Sequence, residues 1–187
     1  MKNTTPLFVS ILIFFCLFAN KGMAQKKGFE IGFQLNEYHQ DFGLGLNVTT
    51  PYLIKEYVAI RLRANSQFLQ HLDPKSLTET WTPYQNLSLG FFGHRAMIHE
   101  KIGLYGEGGI LGIFPNDDFS KEDFVIGGYG LFGFEFYFVD QFSYFIEAGG
   151  VGSGAKADKL PTEPIYSNGF LINVGFRITF YKNNENE

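Results

Sequence analysis

From residue 25 onward, apolar residues recur at every second position, and no stretch carries a 3.6-residue period. A period of two sends alternate side chains to opposite faces of an extended strand, so this chain must build sheet rather than helix. The last run is the clearest. Phe170, Ile172, Val174, Phe176, Ile178 and Phe180 share one face, while Gly169, Leu171, Asn173, Gly175, Arg177 and Thr179 share the other. Near the start, Phe29, Ile31, Phe33 and Leu35 oppose Glu30, Gly32, Gln34 and Asn36. Val58, Ile60, Leu62 and Ala64 oppose Ala59, Arg61, Arg63 and Asn65 in the same way.

Eight strands are predicted, at 28–38, 41–49, 56–70, 83–98, 102–114, 123–138, 142–153 and 167–181. The fourth is the least regular, because Phe91 and Phe92 interrupt the alternation as a bulge would. Connections at 50–55, 99–101 and 139–141 are short. Those at 71–82, 115–122 and 154–166 are long and polar, with Pro74, Pro115, Pro161 and Pro164. An even strand count, short turns at one end and long loops at the other describe an outer-membrane barrel with both termini on the short-turn side.

The contrast between the two faces separates a membrane barrel from a soluble one. One face carries Phe, Ile, Leu and Val; the other carries Gly, Asn, Gln, Glu and Arg. A lumen eight strands around is narrow and accepts small and polar groups. The bulky apolar face must then point outward, which only lipid makes favourable. A lipocalin-like soluble barrel has the reverse arrangement. The 22 Phe, 22 Gly and 10 Tyr, with only 18% charged residues, fit the membrane alternative. Tyr52, Tyr57, Tyr105, Tyr137, Tyr144 and Tyr181 fall near the short-turn end. Tyr38, Trp81, Tyr84 and Tyr166 fall near the long-loop end, as two interfacial girdles would. The expected fold is all-β, an eight-stranded antiparallel up-and-down transmembrane β-barrel.

The first residues are expected to leave. Lys2 precedes an apolar run, Leu7 to Ala19, and Gly22, Met23 and Ala24 form a small-residue cut site. This is a secretory signal peptide, too short to span a bilayer core of about 20 residues. The expected division is 1–24 signal peptide and 25–187 outer-membrane barrel. Cleavage removes Cys16, Lys2 and Lys21, which leaves an acidic, cysteine-free chain. With no basic stripe, nucleic acid is not an expected partner.

Glu30, Arg61, Arg63, Glu107, Glu135, Glu147 and Arg177 all take the inward parity, a few residues from the short-turn end of their strands. They should form one layer in the lumen. Unpaired charges there would be costly, so Arg and Glu are expected to pair across it as a plug. An ion path or a catalytic carboxylate set is the alternative use of such a layer. Strands five and seven repeat a small pattern there, Tyr105-Gly-Glu107-Gly-Gly and Phe145-Ile-Glu147-Ala-Gly-Gly.

Other candidate chemistry is sparse. His39 and His71 could share the loop end with Asp41 and Asp73, but no metal-ligand spacing connects them. His94 is assigned to the lumen. Asp117, Asp118, Glu122 and Asp123 read as a solvated acidic loop, with a divalent cation shared with lipopolysaccharide phosphates as the alternative. No catalytic residue, metal ligand or cofactor is assigned.

The sixth strand, Gly127-Gly-Tyr-Gly-Leu-Phe-Gly-Phe-Glu-Phe-Tyr-Phe138, and the closing Val174-Gly-Phe-Arg-Ile-Thr-Phe180 resemble the small bacterial outer-membrane β-barrel family. The transmembrane barrel of OmpA-type proteins is its best-known relative. The resemblance implies a Gram-negative outer membrane, contact with its lipid and lipopolysaccharide, and insertion by the barrel-assembly machinery. That machinery reads a terminal Phe; here Phe180 is followed by Tyr181 and a polar tail. Enzymes of the family act on lipid A, and a deacylase among them uses His-x-Ser-Asn on a late strand. Tyr166-Ser167-Asn168 lacks that His. The expected role is structural, or surface interaction through the three long loops with a ligand the sequence does not name. A lipid A hydrolase using Ser167 and a loop His, or a small channel for hydrophobic solutes, is the alternative.

Overall fold

The computed structural model describes residues 28–39, 41–53, 57–73, 78–93 and 95–181. The expected signal segment 1–24 with its cut site, Pro74, His94 and the polar tail after Tyr181 lie outside the described residues. Among the described residues nine antiparallel segments follow one another: β1 (Gly28–Glu37), β2 (Asp41–Thr49), β3 (Val58–Leu72), β4 (Glu79–Gly93), β5 (Ala96–His99), β6 (Ile102–Phe114), β7 (Val125–Val139), β8 (Phe142–Gly152) and β9 (Gly169–Tyr181). β1 pairs with both β2 and β9, and β6 pairs with both β4 and β7, so the sheet closes on itself. β5 prolongs β4 along β6, and the nine segments make an eight-stranded closed barrel.

The expected single fourth strand needs correction. Pairing with β3 runs unbroken through Phe91 and Phe92, and the interruption comes after Gly93. A second irregularity lies between Met97 and His99. Phe91 points outward and Phe92 is buried, so the pair keeps the geometric alternation and breaks only its chemistry. β3 ends at Leu72, two residues later than expected, and β9 begins at Gly169, two residues later. Neither shift moves a side chain to the other face.

Alternation becomes two surfaces. Outward positions are bulky and open: Phe132 is 71% exposed, Ile126 and Phe91 68%, and Phe170 62%. Inward positions bury Gln34, Asn47, Asn65, Asn86 and Asn173 together with the charged set. Two-residue turns at 100–101 and 140–141 mark one end.

The loops at the other end are folded, where the sequence reads them as polar arms. Residues 115–124 and 153–168 lie over the barrel mouth and bury Phe119, Leu160 and Tyr166. Phe119 and Tyr166 meet edge to face at 5.0 Å, and Tyr84 reaches up to both, at 5.9 and 5.2 Å. The Lys159 amide donates to the Phe119 carbonyl at 3.0 Å, and the Lys121 amide to Asp158 Oδ1 at 2.8 Å, so the two loops are stitched together. Burial pushes the Tyr166 phenol up to about 12. The girdle assignment is therefore corrected. Trp81, Tyr57 and Tyr144 face outward, whereas Tyr38, Tyr84, Tyr105 and Tyr166 are buried inside the barrel or its lid.

Candidate functional site

The structure brings all seven inward charges together and adds an eighth, Arg95, from the gap between β4 and β5. Four arginines meet four glutamates, and none of the eight is more than 7% exposed. Nearest the short turns, Arg95 bridges Glu135 and Glu30, the latter at 2.7 Å. Arg177 reaches Glu135 at 3.0 Å, and Ser143 donates to the same carboxylate. One tier further in, Arg63 donates through Nε to Glu107 at 2.8 Å and through Nη1 to Glu147 at 2.9 Å. Arg61 adds a 2.9 Å bond to Glu107 and is held by Thr49 at 2.6 Å. Arg177 joins the tiers, donating to Glu147 at 2.6 Å.

Neutral groups complete the layer. Tyr129 donates to Glu107 at 2.7 Å, Tyr105 to Glu147 at 2.6 Å, and Asn173 to Glu147 at 2.8 Å. Gly133 makes room for this: a Cβ there would lie 2.2 Å from the Tyr105 ring. Phe92 and Phe145 depart from the expected small and polar lumen. Arg61 lies 3.9 Å from the Phe92 ring centre, and Arg177 3.8 Å from that of Phe145. These rings fill space that water would otherwise occupy and offer their electron-rich faces to the guanidinium groups. A carboxylate so neutralised is a poor general base, and the arrangement is suited to holding staves together.

Beyond the charges the lumen changes character. Gln34 Oε1 accepts from Arg63 at 2.9 Å and from Asn47 at 2.8 Å. Gln34 donates to Asn65 at 2.8 Å, and Asn65 to Asn86 at 2.6 Å. Facing these amides are Leu111, Leu131, Val151 and Leu171, an apolar wall in a lumen expected to be small and polar. Between them lies a cavity of about 10 Å³.

At the mouth, Asp41 Oδ2 accepts from the Tyr84 hydroxyl at 2.8 Å and from the Ser167 amide at 2.6 Å. Ser167 Oγ lies 2.7 Å from the Tyr84 oxygen. Ser167 holds a left-handed φ of 45°, which these contacts stabilise. It is fully buried, and its hydroxyl faces a tyrosine rather than a histidine. His71 bonds Thr82 at 2.8 Å, and His39 is exposed. Asp117, Asp118, Glu122 and Asp123 are exposed on the lid, and among the described residues no group of His, Cys, Asp and Glu is placed to hold a metal ion.

Arg95 escaped the sequence reading for a definite reason. In β4 the even positions face inward, so parity carried through the break sends residue 95 outward. Outside a ladder, parity has no force, and the side chain turns in to Glu30 and Glu135.

No family model and no curated protein matches the chain. Among solved structures it is similar to the N-terminal β-barrel domain of Pseudomonas aeruginosa OprF, with a TM-score of 0.56. The alignment covers 83% of this chain and 98% of that one at 13% sequence identity, a likeness of fold.

Proposed function

We propose that the chain is an OmpA-type outer-membrane barrel of a Gram-negative bacterium, exported by residues 1–24, with a sealed lumen and a structural or surface-interaction role at its lidded end. The observation that carries this reading is the outward surface: a closed ring of strands exposing Phe, Ile, Leu and Val on every stave. In water such a surface would drive aggregation, and in hydrocarbon it is at rest. The outer-membrane lipid and lipopolysaccharide are then its surroundings, and the barrel-assembly machinery its route in. Eight charges paired across a narrow lumen argue against a resting channel. The hydrolase alternative is disfavoured because Ser167 is buried against Tyr84.

The test has two parts. Membrane fractionation with N-terminal sequencing should recover the protein in the outer membrane, beginning at Gln25. Reconstituted protein should give little or no stable single-channel current, and Phe134→Arg should cost about 2–4 kcal/mol in vesicle refolding if the site lies near the midplane. A soluble periplasmic protein, or a silent Phe134→Arg, would refute the membrane reading; a large steady conductance would refute the seal.

A further inference from the structure

We propose that the cavity between the charged layer and the lid is a binding site for one water molecule, held by Asn36 and Asn173. These residues are direct register partners on β1 and β9, each 2% exposed, and both line the cavity. Each has an Oδ1 with no hydrogen-bond partner. The orientation of both amides follows from the charges beneath them. Glu147 can only accept, so Asn173 must turn its NH₂ toward that carboxylate, at 2.8 Å, and present its oxygen to the cavity. Arg63 can only donate, so Gln34 must accept from it and pass its own NH₂ to Asn65 Oδ1. Asn65 Oδ1 therefore accepts from Asn36 as well, at 3.0 Å, which leaves the Asn36 oxygen free.

Two buried acceptors facing one cavity call for a ligand with two donors. A cavity of about 10 Å³ has room for a single water. Ser88 and Tyr38 line the same cavity, their hydroxyls already engaged with Tyr129 and Asn86. The arginines and glutamates below cancel in number and offer no excess negative charge that would favour a small cation over neutral water. Leu111, Leu131, Val151 and Leu171 close the far side, which confines the ligand to the amide wall.

The test is water-to-protein magnetisation transfer by NMR on the full mature chain in detergent micelles. Long-lived water cross-peaks to the Asn36 and Asn173 side-chain NH₂ groups are expected. The paired variant Asn36→Leu with Asn173→Leu should abolish the signal at neighbouring Ser88 and Tyr38. Absence of any such cross-peak in the unmodified protein would overturn the site without reference to the variant. Displacement of the water signal by added ammonium at millimolar concentration would overturn it in favour of a cation.

Discussion

The two halves of the lumen solve the same problem, polar groups inside a narrow tube, in opposite ways. Toward the short turns, each carboxylate has several partners, arginines among them. Glu147 alone receives bonds from Arg63, Arg177, Tyr105 and Asn173. Toward the loops, neutral amides are linked in a chain that branches at Asn65, Asp41 relies on two donors, and Asn36, Gln67 and Asn86 each keep an atom without a protein partner, as Arg177 Nε does in the charged half. Redundancy in the first half protects against losing any neutral partner but makes each charge indispensable to the balance. The second half has no such balance to upset and no spare bonds.

That contrast predicts which substitutions hurt. The largest effect should come from Arg177→Met, which leaves Glu135 and Glu147 short of compensation inside the barrel. Denaturant unfolding in vesicles should lose about 3–5 kcal/mol. A loss below about 1 kcal/mol would mean that the layer is hydrated and the charged half is not what sets its stability.

Loss of a neutral hydroxyl should rank the halves the other way. Tyr84→Phe removes one of the two donors to Asp41 and should cost about 1–3 kcal/mol. Tyr105→Phe leaves Glu147 its three arginines and Asn173, and should cost less. Equal costs in a side-by-side melt would erase the distinction between redundant and single bonding.

The smallest pair concerns room rather than bonds. Gly133→Ala drives a methyl into the Tyr105 ring, while Gly43→Ala meets only the amide end of Gln67, which is flexible and unpartnered. The first should destabilise by about 1–3 kcal/mol and the second by less than about 0.5 kcal/mol. If Gly43→Ala proved the costlier in the same assay, the loop-end half would be the more tightly packed of the two.

Alternation made the strand content and the two faces readable from the residues, because inward and outward positions must differ in a closed sheet. Glu107 and Arg177 fall inside for that reason alone. Arg95 did not yield to the same logic, since it sits where the ladder is broken. The lid was harder still. Phe119, Leu160 and Tyr166 lie in segments rich in Pro, Asp, Lys and Ser, whose composition resembles a solvated loop and whose burial depends on contacts between 115–124 and 153–168. Local pattern carries no record of such a meeting. Parity places Leu111, Leu131 and Leu171 inward, and it is the expectation of a small, polar lumen that fails there: a lumen beneath a lid can accept apolar groups that an open one would not.

The pairing of β1 with β9, from Gly28 opposite Tyr181 to Glu37 opposite Ile172, has a kinetic consequence. The first and last staves are neighbours, so the ring cannot close until the whole chain is present. Contacts that span so much sequence form late, because the entropy of bringing the ends together is lost before any bond returns it. The charged layer shares this delay, with Arg61 and Glu147 separated by 86 positions. A chain stopped short of β9 would be an open sheet with two raw edges and an unfinished set of charges, not a smaller barrel. Completion should therefore behave as a single late event, in which sealing the wall and neutralising the interior coincide.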